Sequence, residues 1–194
     1  MARAKRSRRH LVKLWFRVIY VMFSWRRRSK LTIDQVSKIT LRVLPSDLDI
    51  YNHMNNGVFL TLMDIGRYDQ GLRTGFWQEW NKKGWYPIVV NSTISYRKSL
   101  EPWQKFDLET KVIGWDDVSC YIEQRFVRNG EIYAKAIMRG RFLKRSWGVL
   151  TPQEVMEGSG GWPGPKPTVP EWVLRWAKDI QLPKGKEPAP SDWD

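Results

Sequence analysis

The sequence predicts an α+β domain in which one long helix lies on a curled, mostly antiparallel sheet. Three observations carry this. Apolar residues recur at helical spacing over residues 58–76. Alternating runs follow that segment, and Asn129-Gly130, a tight-hairpin signal, joins two of them. With 194 residues, 42% of them hydrophobic, the chain can bury one core and is not compatible with wholesale disorder.

The elements follow in order. Residues 36–44 alternate loosely and read as a strand, ended by Pro45-Ser46-Asp47. Asn55 and Asn56 offer N-caps to the long helix, whose apolar positions are 58, 59, 62, 63, 65 and 72. Gly66 and Gly71 are unusual inside a helix; they mark a close backbone approach or weaken the helix. Residues 88–96, 106–114, 118–128 and 132–143 read as strands. In the last three the apolar residues sit mainly on even positions: Phe106, Leu108, Val112, then Val118, Cys120, Ile122, Phe126, then Ile132, Ala134, Ala136, Met138, Phe142. Asp116-Asp117 makes the preceding turn. Thr151-Pro152-Gln153-Glu154 starts a short helix, residues 158–170 form a Gly/Pro-rich linker, and Pro170 opens a helix through Ile180. The organisation expected is an amphipathic arm over 1–33, a body over 34–147, and a linker with a C-terminal helical tail over 148–194.

The formal net charge is +13, from 33 Lys+Arg and 20 Asp+Glu. Eleven of the basic residues precede Leu31, and the first acidic residue is Asp34. Subtracting the eleven leaves 22 basic and 20 acidic side chains, a net of +2, over residues 31–194. A near-neutral body argues against a basic globular surface for nucleic acid. Residues 11–25 are almost all apolar, but their uninterrupted stretches fall short of the roughly 20 residues a spanning helix needs. On a helix, His10, Lys13, Arg17, Tyr20, Ser24 and Arg28 share one narrow stripe; Leu11, Leu14, Trp15, Val18, Ile19, Val21, Met22 and Phe23 cover the rest. That pattern suits a helix lying in an anionic membrane interface through residues 10–30. The alternative is a helix packed on the body or in a dimer. Arg17 interrupts the apolar run, and Trp25-Arg26-Arg27-Arg28 stands where a small-residue cleavage site would be, so a cytoplasmic, membrane-peripheral protein is expected rather than an exported one. The single cysteine, Cys120, excludes an intrachain disulfide framework and a cysteine-cluster zinc site.

The densest polar cluster is Ser46-Asp47-Leu48-Asp49-Ile50-Tyr51-Asn52-His53-Met54-Asn55-Asn56, between the first strand and the long helix. A helix N-terminus offers unpaired N–H groups and the positive end of the dipole, which can hold a carbonyl oxygen as it turns into an oxyanion. A neighbouring carboxylate can serve as nucleophile or general base. The bland alternative is an Asx-rich turn with helix caps.

The stretch Asp47–Asn56, with Phe59-Leu60 and Asp64 beyond it, resembles the D-x-D-x-x-x-H-x-N-N-x-x-(F/Y)-L signature of hotdog-fold thioesterases of the 4-hydroxybenzoyl-CoA thioesterase-like and YbgC-like group. Residues 45–68 resemble the thioesterase superfamily member 6-like branch more closely still. The resemblance covers about residues 34–145. It implies a hotdog fold, with the sheet wrapped round the helix, and a thioesterase acting on an acyl-CoA or acyl-carrier thioester. It further implies a homodimer in which the long helices meet, and no metal or redox cofactor. It makes Asp49 the nucleophile or the base on water, and the N–H groups at Asn56 and Gly57 the oxyanion donors. His53 orients the loop or bonds the substrate, and Asp64 is a second carboxylate or a partner of loop backbone. Asn55, Phe59, Arg97 and Lys98 are assigned to substrate. Arg97-Lys98 and Lys144-Arg145, both at strand ends, suit the phosphates of coenzyme A, and the more common alternative for either pair is a solvated strand end. Trp77, Trp80 and Trp85 line an acyl tunnel or fill the core.

Two features depart from the pattern. Asn52 stands where many members carry Gly, which predicts a different loop conformation. Members of the second branch are not all established enzymes, so a non-catalytic acyl- or lipid-binding protein is the alternative. A hotdog hydratase is a further alternative, although only three residues separate Asp49 from His53 where hydratases usually have four.

Overall fold

The computed structural model describes residues 16–183 and 187–191. The basic residues up to Lys13, and the apolar start of the arm through Trp15, lie outside the described residues.

Six antiparallel strands form one sheet: β1 (Ser37–Arg42), β2 (Trp85–Tyr96), β3 (Lys105–Trp115), β4 (Cys120–Arg128), β5 (Glu131–Lys144) and β6 (Val149–Leu150). The order is β1-β3-β4-β5-β2, with β6 beside β5. Register shifts in the β2–β5, β3–β4 and β4–β5 pairs bend the sheet. Asn129 and Gly130 both take positive φ, +51° and +77°, which closes the β4–β5 hairpin as the dipeptide predicts. Asp116 closes the β3–β4 turn by accepting the N–H groups of Val118 (2.8 Å) and Ser119 (2.6 Å).

Helix α2 (Asn56–Thr74) lies on the inner face of the sheet. Its Phe59, Leu62, Met63 and Ile65 share a core with Ile39, Leu41, Phe106, Leu108, Phe126, Ala134 and Ala136. The even-numbered side chains of β3–β5 are the ones turned toward the helix, as the alternation predicts. Gly66 is the point of close approach: a Cβ there would stand 2.6 Å from Thr110 Oγ1 and 2.8 Å from Gln124 Nε2. The buried Gln124 amide donates to Met63 O (2.9 Å) and Thr110 Oγ1 (3.0 Å), fastening helix to sheet. Gly71 has only ordinary contact with Trp77.

One continuous helix to residue 76 is not what forms. Gly75, at φ +82°, ends α2, and α3 (Phe76–Lys83) turns away to place Phe76 and Trp80 in a second core with Phe142 and Val155. After β6, Thr151 caps α4 (Pro152–Glu157) through a capping box. The Gly/Pro-rich stretch then carries the chain to α5 (Glu171–Asp179), which buries Val173 and Ala177 against Tyr121 and Ile137 on the outer face of the sheet.

The arm forms helix α1, described over residues 16–24, followed by a 3-10 turn at Trp25–Arg27. It packs on the body: Val21 is 1% exposed and joins the first core with Val18 and Trp25. Its polarity differs from the expected one. Arg17 and Arg28, members of the basic stripe, point inward to Asp47 and Asp69, while Phe16, Ile19, Tyr20, Met22 and Phe23 are exposed. Buried carboxylates on the body outcompete solvent for the guanidinium groups. The same arginines donate to Arg42 O (3.0 Å) and Lys38 O on the free side of β1, which covers that edge. The opposite edge, β2, has no covering element among the described residues and contains Pro87, a residue suited to edge strands.

Candidate active site

Three segments meet at the N-terminus of α2: the loop from Asp47 to Asn55, the first turn of the helix, and the residues after β2. Asp49 N donates to His53 O (2.8 Å) and Asn52 N to Asp49 O (3.2 Å), while Leu48 and Met54 pair as an isolated bridge. Asn52 adopts φ +62°, so asparagine takes the left-handed conformation that glycine would supply, and the loop closes without it. Met54 N donates to Leu100 O (2.8 Å) and Asn55 N to Asp47 O (2.8 Å), which ties the loop to the segment beyond β2 and to its own entry.

The loop opens on a polar cleft of about 220 Å³ lined by Asp49, His53, Met54, Asn56, Phe59, Tyr96, Arg97, Lys98 and Ser99. Asp49 Oδ1 accepts N–H groups from Tyr51 (2.9 Å) and His53 (3.3 Å). No donor among the described residues engages Oδ2, so one carboxylate oxygen is held and the other is available. At the helix start the two expected oxyanion donors differ. Gly57 N donates to the Asn55 side chain (2.8 Å), the N-cap bond, whereas Asn56 N–H has no acceptor among the described residues.

Arg97 and Lys98 form the rim. Both pair with Glu131, the first residue of the neighbouring strand β5, and Arg97 also donates to Ile132 O (3.1 Å). The hydrogen bond and charge of Lys98 hold the Glu131 carboxyl below its ordinary range. Two cations share one anion, which leaves a net positive rim. Phe59 is buried and forms the floor, edge-on to Phe126 (4.7 Å) and Tyr96 (5.1 Å). Tyr96 was not among the expected site residues. It lines the cleft, its hydroxyl donates to Asn56 O (3.3 Å), and desolvation raises its pKa. Its position at the end of β2, directly before Arg97-Lys98, was the available signal.

The structure therefore brings together Asp49, His53, Asn56, Phe59, Arg97 and Lys98. Asn55 is spent as the helix cap. Asp64 lies elsewhere: its carboxylate pairs with Arg67 and lines a separate apolar cavity of about 130 Å³ between α2, α3 and the sheet. Trp77 and Trp80 line that cavity; Trp85 instead packs on Gly158, where a Cβ would stand 2.5 Å from its ring. Among the described residues, no cluster of three or more His, Cys, Asp and Glu could hold a metal ion. None of the described helices is long and apolar enough to cross a membrane.

A sheet wrapped on one long helix, with a D-x-D loop at its N-terminus, is the arrangement the family resemblance implied. Residues 43–177 match the model of the thioesterase-like superfamily. The chain belongs to this superfamily. It is 34% identical over 138 residues to Protein THEM6 of Xenopus laevis, covering 70% of this chain and 64% of that one; the chain thus spans somewhat less than two thirds of that relative. The fold is the hotdog fold. It superposes with TM-score 0.57 on the crystal structure of the YbaW Probable Thioesterase from Escherichia coli, at 21% identity over 62% of this chain and 94% of that one. It also superposes with TM-score 0.56 on a 4-hydroxybenzoyl CoA thioesterase mutant complexed with 4-hydroxybenzoyl CoA, at 12% identity over 64% and 99% of the chains.

Proposed function

We propose that this thioesterase-like protein hydrolyses acyl-CoA or acyl-carrier thioesters at the Asp49 cleft. The supporting observation is the pairing of an uncommitted Asp49 oxygen with an unpaired Asn56 N–H at a helix N-terminus, in one cleft with a cationic rim. Asp49 attacks the thioester carbonyl, or takes a proton from the water that does. Either route puts negative charge on the carbonyl oxygen, where the Asn56 N–H and the helix dipole stabilise it. The C–S bond then breaks, and the thiolate leaves and is protonated. Where water attacked, the acid is released at once. Where Asp49 attacked, a second step in which water hydrolyses the acyl–Asp49 anhydride releases the acid and restores the carboxylate. Arg97 and Lys98 suit the phosphates of coenzyme A. A screen of acyl-CoAs of graded length, read by thiol release, tests the reading. Release by the wild type and its loss in Asp49→Asn are expected. Thiol release undiminished by Asp49→Asn would remove the carboxylate from its role, and acyl-CoA retained without release by the wild type would favour a binding protein.

Two further readings of the assembly have their own support. The open β2 edge exposes Tyr86, Ile88, Val89 and Val90 and suits pairing with β2 of a second copy. Light scattering should give a dimer that Val90→Lys converts to monomer. The exposed face of α1, beside the exposed Arg26, Arg27 and Lys30, suits the cytoplasmic surface of an anionic membrane. Flotation with phosphatidylserine vesicles should fall sharply in Phe16→Asp/Phe23→Asp; equal flotation of both forms would rule this face out.

A further inference from the structure

We infer that Arg17, on the N-terminal helix, is a positioning residue for the catalytic loop. This rests on the Asp49 reading above and goes beyond it, because no described residue of the arm lines the cleft.

The inference is built on a bidentate pair. Arg17 Nη2 donates to Asp47 Oδ2 at 2.6 Å and Nη1 donates to Oδ1 at 3.2 Å, a fork matched to the carboxylate plane. The side chains are 14% and 9% exposed, so the pair is shielded from water and from salt. Arg17 Nη2 also donates to Arg42 O, the last residue of β1. One guanidinium therefore holds the end of the strand and the start of the loop together.

Asp47 is where the two halves of the proposed chemistry are joined. Its Oδ2 also accepts Leu44 N (2.8 Å), closing the 3-10 turn that leads into the loop. Its carbonyl accepts Asn55 N (2.8 Å), the N-cap of α2. Two residues after Asp47 comes the Asp49 carboxylate, and one residue after Asn55 comes the Asn56 N–H. Fixing Asp47 thus fixes the nucleophile side and the oxyanion side relative to each other. Removing the guanidinium leaves a buried carboxylate with one backbone partner, which the loop relieves by turning Asp47 toward water. That movement releases Asn55 and separates the two groups. Small displacements of this kind are costly for a reaction that depends on alignment.

The arm has a second tether, which provides the control. Arg28 pairs with the buried Asp69, which also binds Arg73 (3.2 Å) and Ser37 Oγ (2.6 Å). This node holds α1 to the middle of α2 and β1 and touches no residue of the loop. Losing it loosens the arm without reaching Asp47.

The test compares Arg17→Gln, Arg17→Lys and Arg28→Gln in the full chain, each assayed well below its own melting temperature, with Asp49→Asn alongside. Arg17→Gln is expected to lower kcat at least tenfold with KM for acyl-CoA changed less than threefold. Arg17→Lys is expected to recover part of that loss, since an ammonium cannot reproduce the fork. Arg28→Gln is expected to lower the melting temperature comparably while kcat stays within twofold. Hydrogen exchange supplies a readout independent of turnover: the Asp49, Met54 and Asn55 amides should exchange at least tenfold faster in Arg17→Gln and unchanged in Arg28→Gln. If the loop amides of Arg17→Gln stay as protected as in the wild type, or if both arginine variants lose kcat and loop protection alike, the positioning role is overturned. If Asp49→Asn keeps its activity while the Arg17→Gln loop amides still lose protection, the carboxylate assignment fails and the Arg17 clamp on the loop stands.

Discussion

Two cavities border helix α2, and each holds one of the acidic residues the motif singles out. At the N-terminus the cleft is polar: Asp49 has one oxygen fixed by backbone N–H groups and the other uncommitted, beside an unpaired N–H and two cations. Farther along, the cavity walled by Phe76, Trp77, Trp80 and Phe142 is apolar, and its carboxylate, Asp64, is neutralised by Arg67. Burial lowers the pKa of Arg67 while Asp64 raises it, and Gln124 Oε1 accepts a further hydrogen bond from the same guanidinium (2.6 Å). The charge of Asp64 is thus matched by a fixed guanidinium, whereas no ion pair among the described residues holds Asp49. The difference teaches that two acids singled out by one motif can sit in opposite surroundings: Asp64 beside a fixed cation in an apolar wall, Asp49 held by backbone N–H groups in a polar cleft.

The largest expected effect exposes that contrast directly. Asp49→Asn keeps an Oδ1 acceptor for Tyr51 and His53 but removes the charge. It should lower kcat by about a hundredfold or more, the scale of a lost acid–base or nucleophilic group, with the melting temperature nearly unchanged. Asp64→Asn should cost less than fivefold in kcat. Equal losses in the two variants, measured by thiol release, would erase the distinction between the cavities.

The apolar cavity should respond in stability instead. Trp80 packs edge-on to Phe142 (4.8 Å) and Phe76 (5.9 Å), and its Nε1 donates to Ser159 Oγ (3.0 Å). Trp80→Ala should destabilise the fold by about 3 kcal/mol, read from urea unfolding, while kcat toward a short acyl-CoA changes little. A large kcat loss at small destabilisation would bring this cavity into the chemistry. Gly66, in the helix between the two regions, is the next test. Gly66→Ala pushes a methyl group against Thr110 and Gln124 and should cost about 1–3 kcal/mol, whereas the same change at an exposed helix glycine would stabilise.

The parts of this comparison that were legible in the sequence are the ones set by local pattern. Alternation at even positions gave the face of β3–β5 that meets α2, Asn129-Gly130 gave the hairpin, and the polar run after β1 gave the cleft. Gly66 was readable as a close approach, though not as the seat of Gln124. What stayed hidden depends on partners far along the chain. Arg17 and Arg28 look like a solvated stripe until Asp47 and Asp69, 30 and 41 residues away, are placed beside them. The apolar run to residue 76 reads as one helix; only the second core explains why the chain stops at Gly75 and starts α3. The resemblance points to Asn56, with Gly57 beside it, as the donors at the helix start, and the sequence does not tell that the Asn55 side chain occupies the Gly57 N–H.

The smallest expected effect leaves the ground state intact and asks how often the apolar cavity opens. Cys120 is buried in its wall, and burial pushes the thiol up to about 12. Alkylation requires the thiolate, so iodoacetamide at pH 8 should label the folded protein more than a hundredfold more slowly than the urea-unfolded chain. Trp80→Ala should narrow that gap under native conditions, because opening α3 admits both water and reagent. Asp49→Asn should leave the rate as in the wild type, because the cleft has no wall in common with the cavity. Labelling that quickens equally in both variants would mean that cleft and cavity open as one unit, and the separation along α2 would then be a feature of the resting structure alone.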